Sequence, residues 1–191
     1  KRQMLNPNSF LLLWLEGPLQ SWGFDSKFGR RDTLVFPTKS GVLGLVCAAL
    51  GAGGEQRALL AEFAALGQTV VSFVRRKQTV DGIIKEDREP LLRDLHMVGS
   101  GYDDQDPWAS LLIPKTSEGK KAVGGGTKMT YRYYLQDAAF AVALEVPVDK
   151  AEAIAQALQN PAWDIYLGRK SCVPTDFIYR GTFDSEMAAL E

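Results

Sequence analysis

The chain has 191 residues, which is long enough for one compact domain with a buried core or for a domain with a small appendage. Hydrophobic residues supply 46% of the sequence, and the formal net charge of −1 gives no overall excess of positive charge for nucleic acid, although a basic face beside an acidic one fits the same balance. Two cysteines and one histidine are too few for a structural zinc site, and we expect neither a metal nor a cofactor.

The first predicted element is a buried strand over residues 9–16, which are dense in Leu, Phe and Trp and are followed by Gly17 and Pro18. Its apolar run is far shorter than the roughly 20 residues that a membrane span needs. The run also lacks the small-residue cleavage site of a signal peptide. We therefore expect a cytoplasmic protein with no membrane partner. Residues 18–37 then form a long irregular stretch that contains several cations.

Two helices and a strand are predicted next. Thr38 or Ser40 caps a helix whose apolar residues recur with helical spacing up to Leu50, and the glycines of 51–54 end it. A second helix is predicted over 55–66, and a strand over 69–73. Residues 75–130 are richer in charge, glycine and proline and have no core pattern of their own, which indicates an arm inserted between strands of the main sheet.

The last third of the chain returns to regular structure. A strand is predicted over 138–146, a helix over 150–158 opened by Asp149, a strand over 163–167 and a strand over 177–183. The resulting order is the split βαβ pattern of an α+β, ferredoxin-like (RRM-like) domain. We assign residues 1–74 and 131–175 to this domain, 75–130 to the inserted arm and 176–191 to a C-terminal β segment. The pattern alone does not decide function, because unrelated enzymes and regulators share it.

Catalytic patterns are scarce in this sequence. It has neither the serine of a hydrolase elbow nor a phosphate-binding glycine loop, and His96 is the single histidine available as a base. Metal-free RNA cleavage needs only a base and a cation, which His96 and Arg93 supply in principle. The alternative is that His96 packs or hydrogen-bonds within the arm. We expect no catalytic residue.

Three clusters favour RNA binding, each with an ordinary structural alternative. The loop over 20–31 interleaves aromatic rings with cations and glycines, as single-stranded RNA requires, or it covers the edge of the sheet. The segment 36–41 joins hydroxyls and Lys39 to a helix N-terminus that attracts phosphate, or it caps the helix. The third cluster, 168–171, follows the strand predicted at 163–167 and combines glycine, Arg169, Lys170 and a hydroxyl.

Several segments together resemble one family, the CasD subunits of type I-E Cascade, which belong to the RAMP group of CRISPR RNA-binding proteins. The segments are LEGPLQSWG at 15–23, FPTKSGVLGL at 36–45, LRDLH at 92–96, YRYYL at 131–135 and YLGRKSC at 166–172. They occur in the family's order and with similar spacing, and they span most of the chain. The resemblance implies a ferredoxin-like RAMP domain whose inserted arm, 75–130, is a thumb.

The resemblance also implies a function. It implies a non-catalytic subunit that binds and caps the 5′ handle of the CRISPR RNA, contacts the large and backbone subunits, and works with target DNA in the assembled complex. A sister branch, in type I-C, cuts precursor RNA, and a pure protein scaffold is a third possibility. Tyr131 or Tyr133 is expected to stack on bases along with Trp22. The predicted RNA-binding residues are Gln20, Trp22, Lys27, Arg30, Arg31, Thr38, Lys39, Ser40, Arg93, His96, Tyr131, Arg132, Arg169 and Lys170.

Overall fold

The computed structural model describes residues 8–26, 29–98, 108, 115–120 and 127–191, so Lys27 and much of the predicted arm lie outside the described residues. The strands are β1 (Asn8–Gln20), β2 (Trp22–Phe24), β3 (Arg30–Leu34), β4 (Gln68–Phe73), β5 (Arg76–Gln78), β6 (Ile84–Glu86), β7 (Leu92–Val98), β8 (Lys128–Pro147) and β9 (Tyr179–Phe183). The helices are α1 (Lys39–Leu50), α2 (Arg57–Phe63), α3 (Val148–Gln159) and α4 (Glu186–Leu190).

Strand β8 organises the sheet because it pairs with four other strands. Its C-terminal part, 135–147, lies antiparallel to β1 on one side and to β4 on the other, and β9 pairs with the far edge of β1. Its N-terminal part lies antiparallel to β7 and parallel to the start of β3. Among the described residues these strands and β2 make a seven-stranded sheet, and β5 and β6 form a separate hairpin.

The core lies between one face of this sheet and the helices. Leu11, Leu13 and Leu15 alternate along β1 and are fully buried, as period-two patterning requires when one face packs on a core. Helix α1 packs against α3, and α3 packs against β1 and β9. Of the two predicted caps Thr38 is the one that forms, since its hydroxyl accepts a hydrogen bond from the Gly41 amide. Within the described part of the chain, no helix is both long and apolar enough to cross a membrane.

Two expectations for the C-terminal third are wrong. Residues 163–167 do not form a strand, because the Ala162 and Trp163 amides donate to the carbonyls of Ala49 and Ala48 near the end of α1. The chain then turns sharply, with the Leu167 amide donating to the Cys172 carbonyl. The segment 176–191 is also not purely β, since helix α4 follows β9. Ser185 caps that helix by accepting from the Ala188 amide.

The boundary predicted between arm and domain falls inside a continuous strand. Strand β8 begins at Lys128, and its first residues pair with β7, which belongs to the predicted arm. The base of the arm therefore extends the main sheet as a ribbon. The paired residues 92–98 and 128–134 are called the ribbon below.

Candidate nucleic-acid interface

Each of the three clusters predicted from sequence contributes a few residues to one open cleft. Its lining comes from the end of β1 and the start of β2, from the first turn of α1, and from the turn after 167. The lining residues are Ser21, Trp22, Gly23, Thr38, Ser40, Gly41, Gly168 and Arg169. Segments that lie far apart in sequence thus share one surface.

Two glycines make this convergence possible. Gly168 has φ +96°, and a Cβ atom there would stand 1.7 Å from the Ser21 carbonyl oxygen, so only glycine fits the turn. A Cβ on Gly41 would stand 2.8 Å from Cε3 of the Trp22 ring. The Ser21 amide donates to the Leu167 carbonyl at 3.0 Å, which fixes the turn beside the end of β1. Ser21 was not among the predicted residues, although it lies between two of them.

The N-terminus of α1 gives the cleft its capacity for anions. The helix has 12 residues and no acidic residue in its first turn, so the positive end of its dipole is not neutralised there. Ser40 is exposed, and its Oγ lies 3.4 Å from Oγ1 of Thr38. Two hydroxyls and a helix N-terminus therefore face the same opening, which suits a phosphate oxygen.

Gln20 and Trp22 do not fit the RNA contacts predicted for them. Both are fully buried. The Gln20 amide donates to the carbonyls of Leu15 and Ala138, and its oxygen accepts from the Trp22 indole nitrogen at 3.1 Å. The ring of Trp22 has no free face for a base, because it packs in the core beneath Gly41. The two side chains shape the cleft from below instead.

Lys39 also has a structural role in place of the predicted phosphate contact. Its Nζ donates to the carbonyls of Ala64 and Leu66 at 3.1 and 2.6 Å. These carbonyls follow the C-terminal end of α2, where orphan backbone acceptors attract a cation. The lysine thus joins the start of α1 to the end of α2 and points away from the cleft.

Arg169 bridges two strands next to the cleft. Its Nη1 donates to the Tyr133 carbonyl at 3.1 Å, and its Nη2 donates to the Arg31 carbonyl at 3.0 Å. The guanidinium also lies over the ring of Tyr134, 4.7 Å from its centroid. This geometry fits a positioning role better than direct phosphate contact. Lys170 is exposed and lines a neighbouring cleft with Trp163 and Tyr166.

The remaining predicted residues lie on or beside the ribbon. Arg31 and Arg132 are paired neighbours on β3 and β8, and Arg132 is also paired with Asp94 on β7. The Arg31 Nη1 donates to the Ser26 carbonyl at 3.4 Å, and the Arg132 Nε donates to the Thr130 hydroxyl at 3.2 Å. Both arginines are half-buried, which fixes them more firmly than fully exposed cations.

Arg30 and Arg93 are exposed, and each lies over a tyrosine ring. The Arg30 guanidinium carbon is 4.9 Å from the centroid of Tyr133, and that of Arg93 is 5.0 Å from the centroid of Tyr131. Arg30 also forms an ion pair with Asp32 at 2.8 Å, and this hydrogen bond raises the pKa of the guanidinium. Each guanidinium can thus make a cation–π contact with its tyrosine ring.

His96 lies on β7, paired with Thr130. Its Nδ1 is 3.7 Å from a carboxylate oxygen of Asp94. That distance is long for a hydrogen bond, so the contact is a weak ion pair when the imidazole is protonated. Within the described ranges, no group of three His, Cys, Asp or Glu side chains is placed to hold a metal ion.

Known proteins are similar to this chain in sequence. Residues 10–189 match the family described as CRISPR-associated protein (Cas_Cas5). Over 180 residues the chain is 36% identical to the CRISPR system Cascade subunit CasD of Escherichia coli (strain K12), covering 91% of this chain and 71% of that one.

Two solved structures are similar as well. One, described as a CRISPR RNA-guided surveillance complex, has a TM-score of 0.63 at 34% identity, over 89% of this chain and 61% of that chain. The other, described as a crystal structure of Cas protein, has a TM-score of 0.52 at 35% identity, over 90% and 62%. The chain spans about three fifths of the length of these solved chains. By the extent of the family match and the identity to CasD, the chain belongs to the Cas_Cas5 family of CRISPR-associated proteins.

Proposed function

We propose that this chain is a non-catalytic subunit of a type I-E CRISPR Cascade complex, where it binds and caps the 5′ handle of the CRISPR RNA. The similarity to a Cascade subunit supports the assignment. The observation that carries the binding role is the convergence of three separate segments on one cleft with a helix N-terminus at its wall. In this role the chain supports guide-directed recognition of DNA in antiviral defence.

The domain assignment belongs to the same proposal. The antiparallel order β4-β8-β1-β9 is the strand order of a ferredoxin-like sheet, and α1 and α3 occupy the places of its two helices. This order supports a ferredoxin-like RAMP domain with residues 75–130 as the thumb. The ribbon would then be the base of the thumb, where it leaves the sheet.

RNA would be held mainly through its backbone. A phosphate at the N-terminus of α1 would accept from backbone amides and from the hydroxyls of Thr38 and Ser40. Arg31 and Arg132 are half-buried and lie side by side on the neighbouring strands β3 and β8. They would bind the next phosphates along the RNA. Lys170 and Lys27 would add longer-range attraction that salt screens.

Partners follow from the same assignment. A subunit at the 5′ end of the guide meets both the large subunit and the first backbone subunit, and it encounters target DNA only in the assembled complex. Such a particle would work in the cytoplasm, with no membrane partner. The scaffold alternative differs in one respect, since it would leave the cleft in contact with protein and not with RNA.

The sharpest test of the cleft is Ser40→Asp in the assembled complex. An acidic residue in the first turn stabilises a helix by about 0.3–1 kcal/mol, so the melting temperature should hold or rise. The same charge beside a phosphate should repel it, and we expect the affinity for a fluorescent synthetic CRISPR RNA to fall about tenfold. Fluorescence anisotropy at several salt concentrations measures this.

The matched control is Ser40→Asn, which is neutral and nearly the same size as the aspartate. We expect its affinity for the RNA to stay within about twofold of that of the unmodified protein, because asparagine lacks the negative charge with which the aspartate repels phosphate. Equal affinity in the Ser40→Asp variant would show that the RNA does not occupy the cleft. A protein crosslink at this position would favour the scaffold.

One contact supports the ribonuclease alternative. Asp94 lies 3.7 Å from Nδ1 of His96, and if this gap closed to a hydrogen bond when RNA binds, the neutral imidazole would be oriented with Nε2 free to act as a base. Arg132, paired with Asp94, would supply the cation. Incubation of the protein with repeat RNA in EDTA decides this, because specific cleavage abolished by His96→Ala would establish an enzyme.

A further inference from the structure

Strand β4 forms one edge of the main sheet, and among the described residues it pairs only with β8. Its sequence, QTVVSF, is rich in residues that favour strands and contains no charge, glycine or proline. Exposed edge strands are normally protected by charged side chains, by proline or by a bulge, because their unpaired amides and carbonyls can pair with another chain. Strand β4 has none of these three protections, since its register with β8 is also continuous.

The hydrogen-bond pattern shows which backbone groups of β4 point outward. The Glu145 amide on β8 donates to the carbonyl of Gly67, just before β4. Residues in an antiparallel ladder alternate between facing the partner strand and facing away from it, so Thr69 and every second residue after it bond to β8. The residues whose amides and carbonyls point outward are Gln68, Val70 and Ser72. Within the described part of the chain, no backbone group bonds to these outward amides and carbonyls.

An open groove lies beside the outward groups, on the face of the sheet that packs against the helices. Its lining includes Val70, which packs against the core, and Phe36 and Pro37, which precede α1. On the opposite face of the sheet, Val71 and Phe73 are 37% and 48% exposed. A strand added beside β4 would therefore meet apolar side chains on both of its faces.

Two cations border the groove. Lys39 lines it, and Arg88 donates to the Ser72 hydroxyl and to the Val35 carbonyl. Among the described residues, neither cation is paired with a carboxylate: Lys39 donates to backbone carbonyls, and Arg88 to a carbonyl and a hydroxyl. We therefore expect an added strand to carry acidic side chains where it passes these two cations.

We propose that the outer edge of β4 binds an extended segment of a partner protein as an added antiparallel strand, with an apolar side chain over Val70 and acidic side chains beside Lys39 and Arg88. The outward amides and carbonyls supply the affinity, and the groove with its cations selects the sequence. A second copy of this chain fits less well, because pairing two β4 strands around Val70 would bring Lys39 of one copy near Arg88 of the other. The inference goes beyond the proposed function, since this binding needs no RNA.

A designed peptide tests the inference on the full 191-residue chain. The probe is the fluorescein-labelled peptide TEVVVET, whose two glutamates and central valine lie on one face of an extended strand. Fluorescence anisotropy should show saturable binding, and replacing both glutamates by glutamine should weaken it about fivefold. Absence of binding at millimolar peptide would overturn the inference, and equal affinity of the glutamine peptide would overturn the acidic partner.

Methylation of single peptide nitrogens distinguishes an added strand from a side-chain contact. In the bound antiparallel strand, the amide of the central valine faces β4, whereas the amides of its two neighbours face away. N-methylation of the central valine should therefore weaken binding about tenfold or more, because it removes a hydrogen bond and introduces a clash. The same change on the preceding valine should alter the affinity by less than about twofold. Equal or reversed effects would overturn the inference.

Amide hydrogen exchange measured by NMR identifies what covers the edge. The amides of Gln68, Val70 and Ser72 should exchange rapidly in the chain alone and about tenfold more slowly with TEVVVET bound, while those of Thr69 and Val71 stay protected throughout. Protection of the outward amides without peptide would show that this chain or a second copy already covers the edge. Either finding would overturn the inference.

A matched pair of variants confirms the location. Val70→Pro removes an outward amide that β8 does not use, and proline is tolerated at such edge positions, so peptide binding should fall about tenfold in a folded protein. Val70→Thr keeps the amide and the shape of the side chain and should bind within about threefold. Equal binding by the two variants would place the peptide elsewhere and overturn the inference. None of these measurements contains RNA, so their failure would leave the proposed function intact.

Discussion

The two ends of strand β8 follow opposite rules. In its C-terminal part, Phe140, Val142 and Leu144 are fully buried against the helices. In its N-terminal part, Met129 and Tyr131 are exposed while Thr130 between them is buried. One continuous strand therefore packs in the core of the domain at its C-terminal end and exposes apolar side chains to solvent at its N-terminal end.

The difference separates residues that stabilise the fold from residues that contribute little to its stability. A buried ring in the C-terminal part contributes stability through the apolar area it removes from water. An exposed ring in the ribbon contributes little of that kind, so its presence needs another explanation, such as a binding partner. If this is right, mutations in the two parts should separate stability from RNA affinity.

The largest expected difference comes from truncating one aromatic ring in each part. Phe140→Ala should lower the free energy of unfolding by about 3–5 kcal/mol, because it leaves a cavity in the core. Tyr131→Ala should cost less than about 1 kcal/mol, because its ring is almost half exposed and mainly loses its contact with Arg93. Urea denaturation followed by circular dichroism measures both.

RNA binding should respond in the reverse order. At a temperature where both variants are folded, we expect Phe140→Ala to bind CRISPR RNA normally and Tyr131→Ala to bind it about tenfold more weakly. Similar losses of stability in the two variants would contradict the proposed difference between the two parts of β8. The ribbon would then have to be regarded as part of the core.

A smaller effect is expected at Gln20, which joins the cleft to the core part of β8. Gln20→Leu removes the donor to the Ala138 carbonyl and the acceptor of the Trp22 indole, and leaves buried polar groups without partners. We expect a loss of about 2 kcal/mol in the free energy of unfolding. Gln136→Leu is the control, since that amide makes a single exposed bond to the Pro90 carbonyl and should cost about 0.5 kcal/mol.

The outcome also tests the structural assignment of Gln20. If its side chain only shapes the cleft, RNA affinity should fall in proportion to the fraction of unfolded protein and no further. A large loss of affinity in a fully folded variant would restore the direct RNA contact that the sequence suggested.

Sequence patterns predicted the helices and strands well where the interactions that form them join residues close together in the sequence. An apolar run dense in Leu, Phe and Trp indicated β1, and a hydroxyl at Thr38 or Ser40 before an apolar stripe indicated α1 and its cap. The strand expected over 163–167 does not form, because the Trp163 amide bonds to Ala48 on α1, more than a hundred residues away, and the Leu167 amide bonds within the following turn to Cys172. A short apolar run in the sequence does not indicate whether its backbone will bond to a distant helix in place of a neighbouring strand.

The site shows the same limit. The three segments that sequence motifs singled out, each combining glycine with polar or charged residues, contribute residues to one cleft, and their binding of RNA stays a prediction. The assignments of individual side chains fit less well, since Lys39 and Gln20 donate hydrogen bonds to carbonyls that only the fold brings near.

The smallest expected effect lies at the junction of the two parts of β8. Arg169 donates to the Tyr133 carbonyl on β8 and to the Arg31 carbonyl on β3, so it holds the ribbon in place beside the cleft. Arg169→Lys keeps the positive charge but cannot reach both carbonyls with a planar fork. We expect a loss of about 1 kcal/mol in stability and a few-fold loss of RNA affinity, with an unchanged salt slope.

The unchanged slope distinguishes positioning from direct contact. If Arg169 bound a phosphate itself, a lysine would serve nearly as well and the affinity would stay constant. If it acts by placing Arg31 and the ribbon, the lysine fails although its charge is intact, because the geometry of the strands is lost. Lys170→Arg, at an exposed neighbouring position, should bind RNA as the unmodified protein does. Anisotropy titrations of the two variants between low and physiological salt therefore show whether the cleft and the ribbon act as one binding surface.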